Sequence, residues 1–250
     1  MAVVSAPVPS VSALTDVSRV LVVTAHPDDV DFGAGGTVAG WTAAGIEVAY
    51  CIATSGDAGG FDDTPRAEMG PLREAEQRAA AKEVGVTDVT FLGYPDGRLT
   101  PGIELRRDIS RAIRRFCPDR VLTSSPEIWW RRLGASHPDH RAVGEATVAA
   151  VYPDARNPFA HPELLADEGL EAWSVRELWL MAAPDERVNH VVDTTGTVER
   201  KLAALRAHTS QTAHMSDLEQ RIRSLAGMWA RRFGLPDGRL GEGFQIVRID

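Results

Sequence analysis

Short apolar, β-branched runs alternate with amphipathic stretches along the chain. The apolar runs end at turn residues and predict strands over residues 17–25, 46–53, 88–92, 120–123, 177–182, 188–193 and 244–249. The stretches between them predict helices over residues 35–45, 71–84, 103–116, 198–209 and 217–233. Strands that alternate with helices predict an α/β fold, Rossmann-like, with a mostly parallel sheet and helices on both faces.

In such a sheet the ligand site lies beyond the carboxyl ends of the strands. Four segments rich in polar, acidic or glycine residues follow the first four predicted strands, at residues 26–36, 54–60, 93–98 and 124–140. We therefore expect the active site at this edge of the sheet.

The length and composition predict one globular domain. The chain has 250 residues, of which 44% are hydrophobic and 25% are charged. Residues 1–16 contain two prolines and no Lys or Arg, which predicts a flexible leader rather than a signal peptide. Residues 17–250 are then a single domain, and no stretch approaches the length of a membrane span.

The net charge of −8 disfavours two classes of partner. A nucleic-acid binder normally presents a basic face, and no basic run is visible. An anionic membrane surface would repel the chain for the same reason. Two cysteines, Cys51 and Cys117, lie far apart in apolar segments, as buried thiols of a reducing compartment do. We expect a cytoplasmic enzyme that acts on a small molecule. The sequence does not decide between a monomer and a homo-oligomer.

The segment AHPDDVDFGAGG at residues 25–36 crowds three aspartates and a histidine beside glycines. Glycines after a strand can cradle a nucleotide, but the spacing here is not GxGxxG and the carboxylates would repel a pyrophosphate. The alternative is a cation among the acids. His26 and Asp29 are zinc-type ligands, and a catalytic zinc site typically has three protein ligands.

A third ligand is available after the fourth strand, in the sequence HPDH at residues 137–140. Ser136, Pro138 and Asp139 have the spacing of a helix start, so the two histidines would sit on a rigid helix N-terminus. Either motif alone is typical of a capped helix or an Asx turn. Together at one sheet edge they favour a metal site.

These two segments resemble the LmbE-like/PIG-L de-N-acetylases, zinc-dependent hydrolases that remove acetyl groups from N-acetylglucosamine-containing molecules. The resemblance rests on AHPDD with GAGGT, on SHPDHRAVGEA at residues 136–146, and on three weaker matches. These are REAEQRAAAKEVGV at residues 73–86, LGYPDG at 92–97 and KLAALRAHTSQ at 201–211. Val30 stands where many members have Glu, and Ala135 where some have Tyr.

The resemblance implies roles for individual residues. Zn²⁺, or another divalent metal, would be bound by His26, Asp29 and His140. Asp28 would be the general base and acid, and His137 would stabilise the oxyanion.

Substrate contacts follow from the same resemblance and from the loop before the histidine pair. The resemblance implies sugar contacts from Arg73 and Asp96, for which the alternative is a surface salt bridge between the two. One of Trp129 and Trp130 is expected to anchor the loop, and the other, assigned as Trp130, to stack on the substrate.

We thus predict a hydrolase that removes an N-acetyl group with a metal-bound water as nucleophile. The alternatives are an amidase on a larger conjugate and a non-catalytic nucleotide-binding protein. Three further residues are left with two readings each. Asp31 either orients a ligand or caps a helix, Asp57 either forms a turn or supports His26, and His208 either packs or supports the site.

Overall fold

A single β-sheet forms the centre of the computed structural model, which describes residues 11–61 and 63–249. Its strands are β1 (Arg19–Thr24), β2 (Glu47–Thr54), β3 (Asp88–Tyr94), β4 (Arg120–Ser124), β5 (Glu177–Met181), β6 (His190–Asp193) and β7 (Gly241–Arg248). The helices are α1 (Asp29–Ala43), α2 (Arg66–Glu83), α3 (Ile103–Phe116), α4 (Pro138–Ala149), α5 (Glu163–Ala166), α6 (Val198–Ala207), α7 (Thr209–Thr212) and α8 (Leu218–Arg232). A 3-10 helix at Trp130–Ala135 precedes α4, and a π-helical turn at Ala150–Asp154 follows it.

The sheet is mixed, which corrects the prediction of a mostly parallel one. The strand order is β3-β2-β1-β4-β5-β7-β6. Pairing is parallel from β3 to β5, and β7 pairs antiparallel with both β5 and β6. Hydrophobic periodicity reports where a strand lies but not its direction, so the reversal at β7 was not visible in the sequence. The more specific Rossmann-like assignment stays a prediction.

Helices cover both faces of the sheet because the strands are apolar on both sides. In β1, Val20 and Val22 belong to a core cluster shared with α1 and α2. Leu21 and Val23, which point the other way, belong to a second cluster shared with α3 and α4. The two buried layers hold β1 and β4 side by side in the middle of the sheet.

The strand order places a crevice at the carboxyl ends of β1 and β4. From β1 the chain goes first to β2 and β3 on one side and later to β4 and β5 on the other. Loops that leave β1 and β4 therefore diverge to opposite faces, which opens space between them. The predicted motifs at residues 26–36 and 124–140 follow these two strands.

The first helix begins at Asp29 rather than at Gly35. Its glycines serve close packing, because a methyl group at Gly33 would clash with the side chain of Met181, and one at Gly36 would lie 2.9 Å from Thr194.

Helix α2 also begins earlier than predicted, at Arg66, which leaves Pro71 inside it. The predicted start at residue 71 places Arg73 in the first turn of the helix. In the structure Arg73 lies beyond the first turn.

Part of the predicted leader contacts the sheet. The Val11 N–H donates to the carbonyl of Asn189 at 2.9 Å, and the Leu14 N–H donates to Glu177 at 3.0 Å. Residues 1–10 of that leader lie outside the described residues, and the domain boundaries 17–250 stay a prediction. Within residues 11–61 and 63–249, no helix combines the length and the apolar content that crossing a membrane requires.

Candidate active site

The turn after β1 is organised by the carboxylate of Asp29. Its Oδ2 accepts hydrogen bonds from the backbone N–H groups of Ala25 at 3.2 Å and His26 at 2.9 Å. The residue before it, Asp28, has a left-handed backbone with φ 86° and is the N-cap position of α1. This tight turn holds Asp29 and His26 on the same side of the chain.

The second motif forms the start of α4, as predicted, although the cap residue is different. Pro138 is the first helical residue, and the His137 side chain accepts a hydrogen bond from the Asp139 N–H at 3.2 Å. Ser136 instead accepts from the Trp129 N–H at 2.8 Å, so it ties down the preceding loop.

The three predicted metal ligands come together between these two segments. His26 Nδ1 lies 3.2 Å from His140 Nε2, which lies 2.9 Å from Asp29 Oδ1, and Asp29 Oδ2 lies 3.7 Å from His26 Nδ1. Donor atoms around a tetrahedral zinc, with bonds of about 2.0–2.2 Å, are separated by about 3.3–3.6 Å. The observed separations of 2.9–3.7 Å lie on either side of this range, so the two imidazoles and the carboxylate are placed where a divalent metal ion could draw them into its coordination sphere.

The other ring nitrogen of His26 faces two buried carboxylates. Its Nε2 lies 3.0 Å from Asp96 Oδ1 and 3.3 Å from Asp139 Oδ2. Asp139 is fixed in turn by the N–H groups of Gly97 at 2.7 Å and Leu99 at 3.2 Å. A metal-bound histidine usually donates its second N–H to such a carboxylate, which sets the ring orientation.

Two further sets of three donor atoms lie within 4.8 Å of one another, namely His26–His137–His140 and His26–Asp96–Asp139. The second set uses the Nε2 side of His26, and in the first the Nδ1 of His137 already accepts a hydrogen bond. The set with Asp29 is therefore the best candidate.

The carboxylates dominate the electrostatics of the site. Burial by itself lowers the pKa of His26, but hydrogen bonds to Asp139, Asp29 and Asp96 raise it to about 12. The pKa of His140 is also raised, since the charge of Asp29 and its hydrogen bond outweigh the effect of burial. Carboxylates that favour a protonated imidazole favour a metal cation equally, so the site has the charge that a divalent ion requires.

Asp28 stands apart from this set. Its Oδ2 accepts from Arg73 Nη2 at 3.2 Å. Burial and the neighbouring charge of Asp29 raise its pKa to about 6, although the charge of Arg73 acts in the opposite direction. A carboxyl group with a pKa near neutrality, beside the ligand set but outside it, is suited to accept and return a proton.

His137 is the exposed histidine of the group. Its ring centroid lies 5.1 Å from that of His26 and 5.4 Å from that of His140. Because Nδ1 accepts from the Asp139 N–H, the ring proton is on Nε2. Burial and the charges of His26 and His140 lower the pKa of His137. A neutral imidazole that donates from Nε2 therefore fits His137 better than an imidazolium does.

The two predicted sugar-binding residues are buried and contact protein groups. Arg73 donates to the carbonyls of Gly56 and Pro27 at 2.9 and 2.8 Å, besides Asp28. Asp96 accepts from the Ala58 N–H at 2.9 Å through the oxygen that does not face His26. Their exposed fractions are 4% and 7%, so the alternative of a surface salt bridge between them is wrong.

The structure separates the two tryptophans of the loop. Trp129 is buried and its ring lies 6.4 Å from that of Trp229, whereas Trp130 is 78% exposed. Trp129 thus anchors the loop, and Trp130 is the one that a ligand can reach.

The structure also shows the contacts of the three residues for which two roles were open, Asp31, Asp57 and His208. Asp31 is not a cap, because it lies inside α1 and accepts from His208 Nε2 at 2.8 Å. His208 ends α6 rather than lying within one long helix. Asp57 accepts from the Asp96 N–H at 3.3 Å and pairs with Arg66, and so it supports Asp96 rather than His26 itself.

Two contributing residues were missed from the sequence. Asp139 was read only as part of a helix start, although a carboxylate inside HPDH is a ready partner for a metal-bound histidine. Gln77, whose Oε1 accepts from the Asp28 N–H at 2.7 Å, had only one signal, its position one turn after Arg73 on α2.

Comparison with known families identifies the chain. The family model described as PIG-L, GlcNAc-PI de-N-acetylase, matches residues 21–151, which is more than half of the 250 residues. The chain belongs to the PIG-L family. The matched region contains both histidine motifs and the whole candidate site. The predictions of this family and of an enzyme that hydrolyses an N-acetyl amide bond are confirmed, and the nucleotide-binding alternative is set aside.

Individual relatives agree with this membership. The chain is 34% identical to the diacetylchitobiose deacetylase of Thermococcus kodakarensis, over 93% of this chain and 84% of that protein. It is 31% identical to the 1D-myo-inositol 2-acetamido-2-deoxy-alpha-D-glucopyranoside deacetylase of Kineococcus radiotolerans, over 81% and 71% of the two chains. The solved structure of N,N'-diacetylchitobiose deacetylase from Pyrococcus horikoshii superposes with a TM-score of 0.84 at 31% identity, covering 93% of this chain and 85% of that one.

Proposed function

We propose that this PIG-L member is a zinc-dependent deacetylase that hydrolyses the N-acetyl group of an N-acetylglucosamine unit in a small glycoside. The observation that carries the proposal is the meeting of His26, Asp29 and His140 within 3.7 Å, with the Asp28 carboxylate beside them. Two imidazoles and one carboxylate are a ligand set that zinc prefers, with a position left for water or substrate.

The residues around the ligand set divide the remaining work. Zinc held by His26, Asp29 and His140 would supply Lewis acidity, which lowers the pKa of a water molecule to about 7. Asp28 accepts a proton from the attacking water and returns it to the departing amine nitrogen. His137 donates its Nε2–H to the carbonyl oxygen as negative charge develops there. Asp96 and Asp139 hold His26 in the orientation that points Nδ1 at the metal.

The proposed substrate class rests on the relatives and on one exposed side chain. The two relatives compared by sequence are named as deacetylases of diacetylchitobiose and of a 2-acetamido-2-deoxy-glucopyranoside of myo-inositol. Trp130, at 78% exposed on the loop that precedes His137, offers an apolar face on which a sugar ring can stack. This supports a substrate that extends beyond one N-acetylglucosamine unit.

The test is acetate release from a panel of N-acetyl sugars by metal-stripped protein, with and without added Zn²⁺. The panel contains N-acetylglucosamine, N,N'-diacetylchitobiose, an N-acetylglucosaminyl inositol and an N-acetylated amino acid. We expect release from the glycosides only, and only with metal. Release from the amino acid alone would support the amidase alternative, and no release from any member would overturn the proposal.

Zinc titration of Asp29→Asn and His140→Ala tests the ligand set independently of turnover. Each variant should lose zinc affinity by more than about 100-fold, which exceeds the usual effect of removing a group that only orients a ligand. Glu127→Gln, at an exposed salt bridge with Arg187, is the matched charge-removal control and should bind zinc as the unchanged protein does. Retained zinc affinity in both ligand variants would contradict the assignment.

A further inference from the structure

The backbone of Asp28 has a conformation that needs support. Its φ of 86° and ψ of −25° lie in the left-handed region, where a residue other than glycine is strained because its Cβ approaches the following carbonyl oxygen. The strained residue is the one whose carboxylate has the proton-transfer role in the proposed function. Its side chain points correctly only while this backbone conformation persists.

Gln77 on α2 holds that backbone. Its Oε1 accepts from the Asp28 N–H at 2.7 Å, and its side chain is fully buried. Arg73, one turn earlier on α2, binds the preceding carbonyl of Pro27 at 2.8 Å and the Asp28 carboxylate at 3.2 Å. The helix therefore contacts Asp28 twice, through the backbone by Gln77 and through the side chain by Arg73.

The orientation of the Gln77 amide is set by Asp31. Gln77 Nε2 donates to Asp31 Oδ2 at 2.9 Å. The carboxylate oxygen is the acceptor in this hydrogen bond, so the NH₂ end of the amide faces Asp31. The oxygen end then necessarily faces the Asp28 N–H. Asp31, which lies in α1 three residues after Asp28, thus sets which end of the Gln77 amide faces the Asp28 N–H.

His208 is the second hydrogen-bond partner of the Asp31 carboxylate. Its Nε2 donates to the same Asp31 Oδ2 at 2.8 Å, and both side chains are fully buried. Burial by itself lowers the pKa of His208, but the hydrogen bond and charge of Asp31 raise it above its ordinary value. The histidine thereby supplies the positive partner that a buried carboxylate requires.

The cluster is not built for stability alone. Among the described residues, Asp31 Oδ1 and His208 Nδ1 are buried without a hydrogen-bond partner. Apolar side chains of the same volume often stabilise a fold as well as a buried ion pair does, or better. What apolar side chains cannot do is accept a hydrogen bond from the Asp28 N–H.

We propose that Gln77, oriented by the Asp31–His208 pair, is a positioning residue that holds Asp28 in the left-handed conformation required for proton transfer. This inference rests on the proposed function, in which Asp28 is the proton acceptor. It assigns to the buried Gln77–Asp31–His208 cluster an effect on catalysis that acts through Asp28.

The test is Gln77→Met in the full-length zinc-loaded protein, because methionine has a similar volume and no acceptor for the amide. We expect kcat to fall about 10- to 100-fold, as small misplacements of a reacting group do. KM and zinc affinity should not change, and hydrogen exchange of the Asp28 amide should become faster. Thr42→Val is the matched control, because it removes a hydrogen bond of 2.6 Å from the last turn of α1 to the carbonyl of Val84, the C-cap residue of α2.

A double variant separates action through Asp28 from a general loss of packing. Gln77→Met should lower kcat no further when Asp28 is already Asn, since both changes remove the same proton transfer. A further drop of the same size in the double variant, an unchanged kcat in Gln77→Met, or a parallel loss of zinc affinity would each overturn the inference. Full turnover in Asp28→Asn alone would instead overturn the proposed function.

Asp31→Asn gives a second route if Gln77→Met does not fold. An asparagine can donate as well as accept, so the Gln77 amide is no longer forced to turn its oxygen toward Asp28. We expect kcat to fall by a smaller factor than in Gln77→Met, with zinc affinity retained. An unchanged kcat together with faster exchange of the Asp28 amide would show that the backbone hydrogen bond does not matter to catalysis.

Discussion

The two ends of the central strands both bury charged side chains, with opposite consequences. At the amino ends of β4 and β5, Arg120 and Glu177 form a pair at 2.7 Å, with exposed fractions of 2% and 0%. Glu177 also accepts from Trp179 Nε1 at 2.8 Å and from the Leu14 N–H at 3.0 Å. The Arg120 guanidinium lies 4.3 Å from the centroid of the Trp179 ring. Arg248 Nε also lies 3.5 Å from Glu177 Oε1, so the buried carboxylate there has two cationic partners besides its hydrogen bonds.

At the carboxyl ends, acidic groups outnumber basic ones around His26. Three carboxylates, those of Asp29, Asp96 and Asp139, surround the single imidazole of His26. The pKa of His26 rises to about 12 in response. Matched charges with complete hydrogen bonding hold a sheet together, whereas an excess of one sign marks a place that binds an ion of the other. The comparison therefore distinguishes a structural ion pair from a functional cluster on the same sheet.

The largest effect that would sharpen this contrast is expected from Asp28→Asn. Loss of the proton acceptor should lower kcat by about 10³-fold while zinc stays bound. The pKa of Asp28 is raised to about 6 from 3.8, chiefly by burial, so at neutral pH the ionised group is less favourable in the fold than in the unfolded chain. The variant should therefore raise the free energy of unfolding of the metal-free protein, as measured by urea denaturation. A lower free energy of unfolding would contradict this reading of the site.

Glu177→Gln should give the opposite pattern. The uncompensated charge of buried Arg120 is expected to lower the free energy of unfolding by about 3 kcal/mol. Turnover and zinc affinity should not change, because the pair lies at the other end of the strands. Urea denaturation and acetate release on the same preparation measure both quantities. If activity fell as much as stability, the two ends of the sheet would not be independent.

Asp139→Asn and Asp96→Asn test the carboxylates that face His26. If they orient the metal-binding ring, each should lower zinc affinity by about 10- to 100-fold, as measured by competition with a chelating dye. If Asp96 instead contacts sugar hydroxyls, Asp96→Asn should raise KM and leave zinc affinity unchanged. Asp119→Asn is a control at the amino end, where that carboxylate accepts from the Ser18 N–H at 2.8 Å.

The smallest effect is expected from Trp130→Ala. A stacking contact with one sugar ring is worth about 0.5–1.5 kcal/mol, so kcat/KM should fall about 2- to 10-fold for a disaccharide substrate. Stability should stay within about 0.5 kcal/mol, because the side chain is 78% exposed. Leu133→Ala, in the same 3-10 helix and 61% exposed, is the matched control. Equal losses in both variants would indicate a disturbed loop rather than stacking.

The sequence alone determined the strands and the edge of the sheet at which the candidate site residues meet. Each strand appears where an apolar run predicts it, since strands buried on both faces need little beyond such a run. The metal motif was visible because His26, Asp29 and His140 are chemically distinctive and follow β1 and β4, which are neighbours in the sheet. Local pattern and residue chemistry were sufficient for these predictions.

Other features depended on contacts between distant segments. The glycines of α1 lie against Met181 and Thr194, a close approach that no local pattern reveals. Strand direction at β7 is likewise a property of the assembled sheet. Both features have one physical cause. Close packing and strand pairing depend on elements that are distant in the sequence and meet only in the folded protein.

The assignment of individual charges was decided by the tertiary structure alone. Arg73 and Asp96 are equally plausible as sugar ligands in sequence, and folding places one on Asp28 and the other on His26. Gln77 and His208 reach Asp31 from 46 and 177 residues away. A hydrogen bond depends on position to within a few tenths of an ångström, and only the complete fold specifies position at that scale.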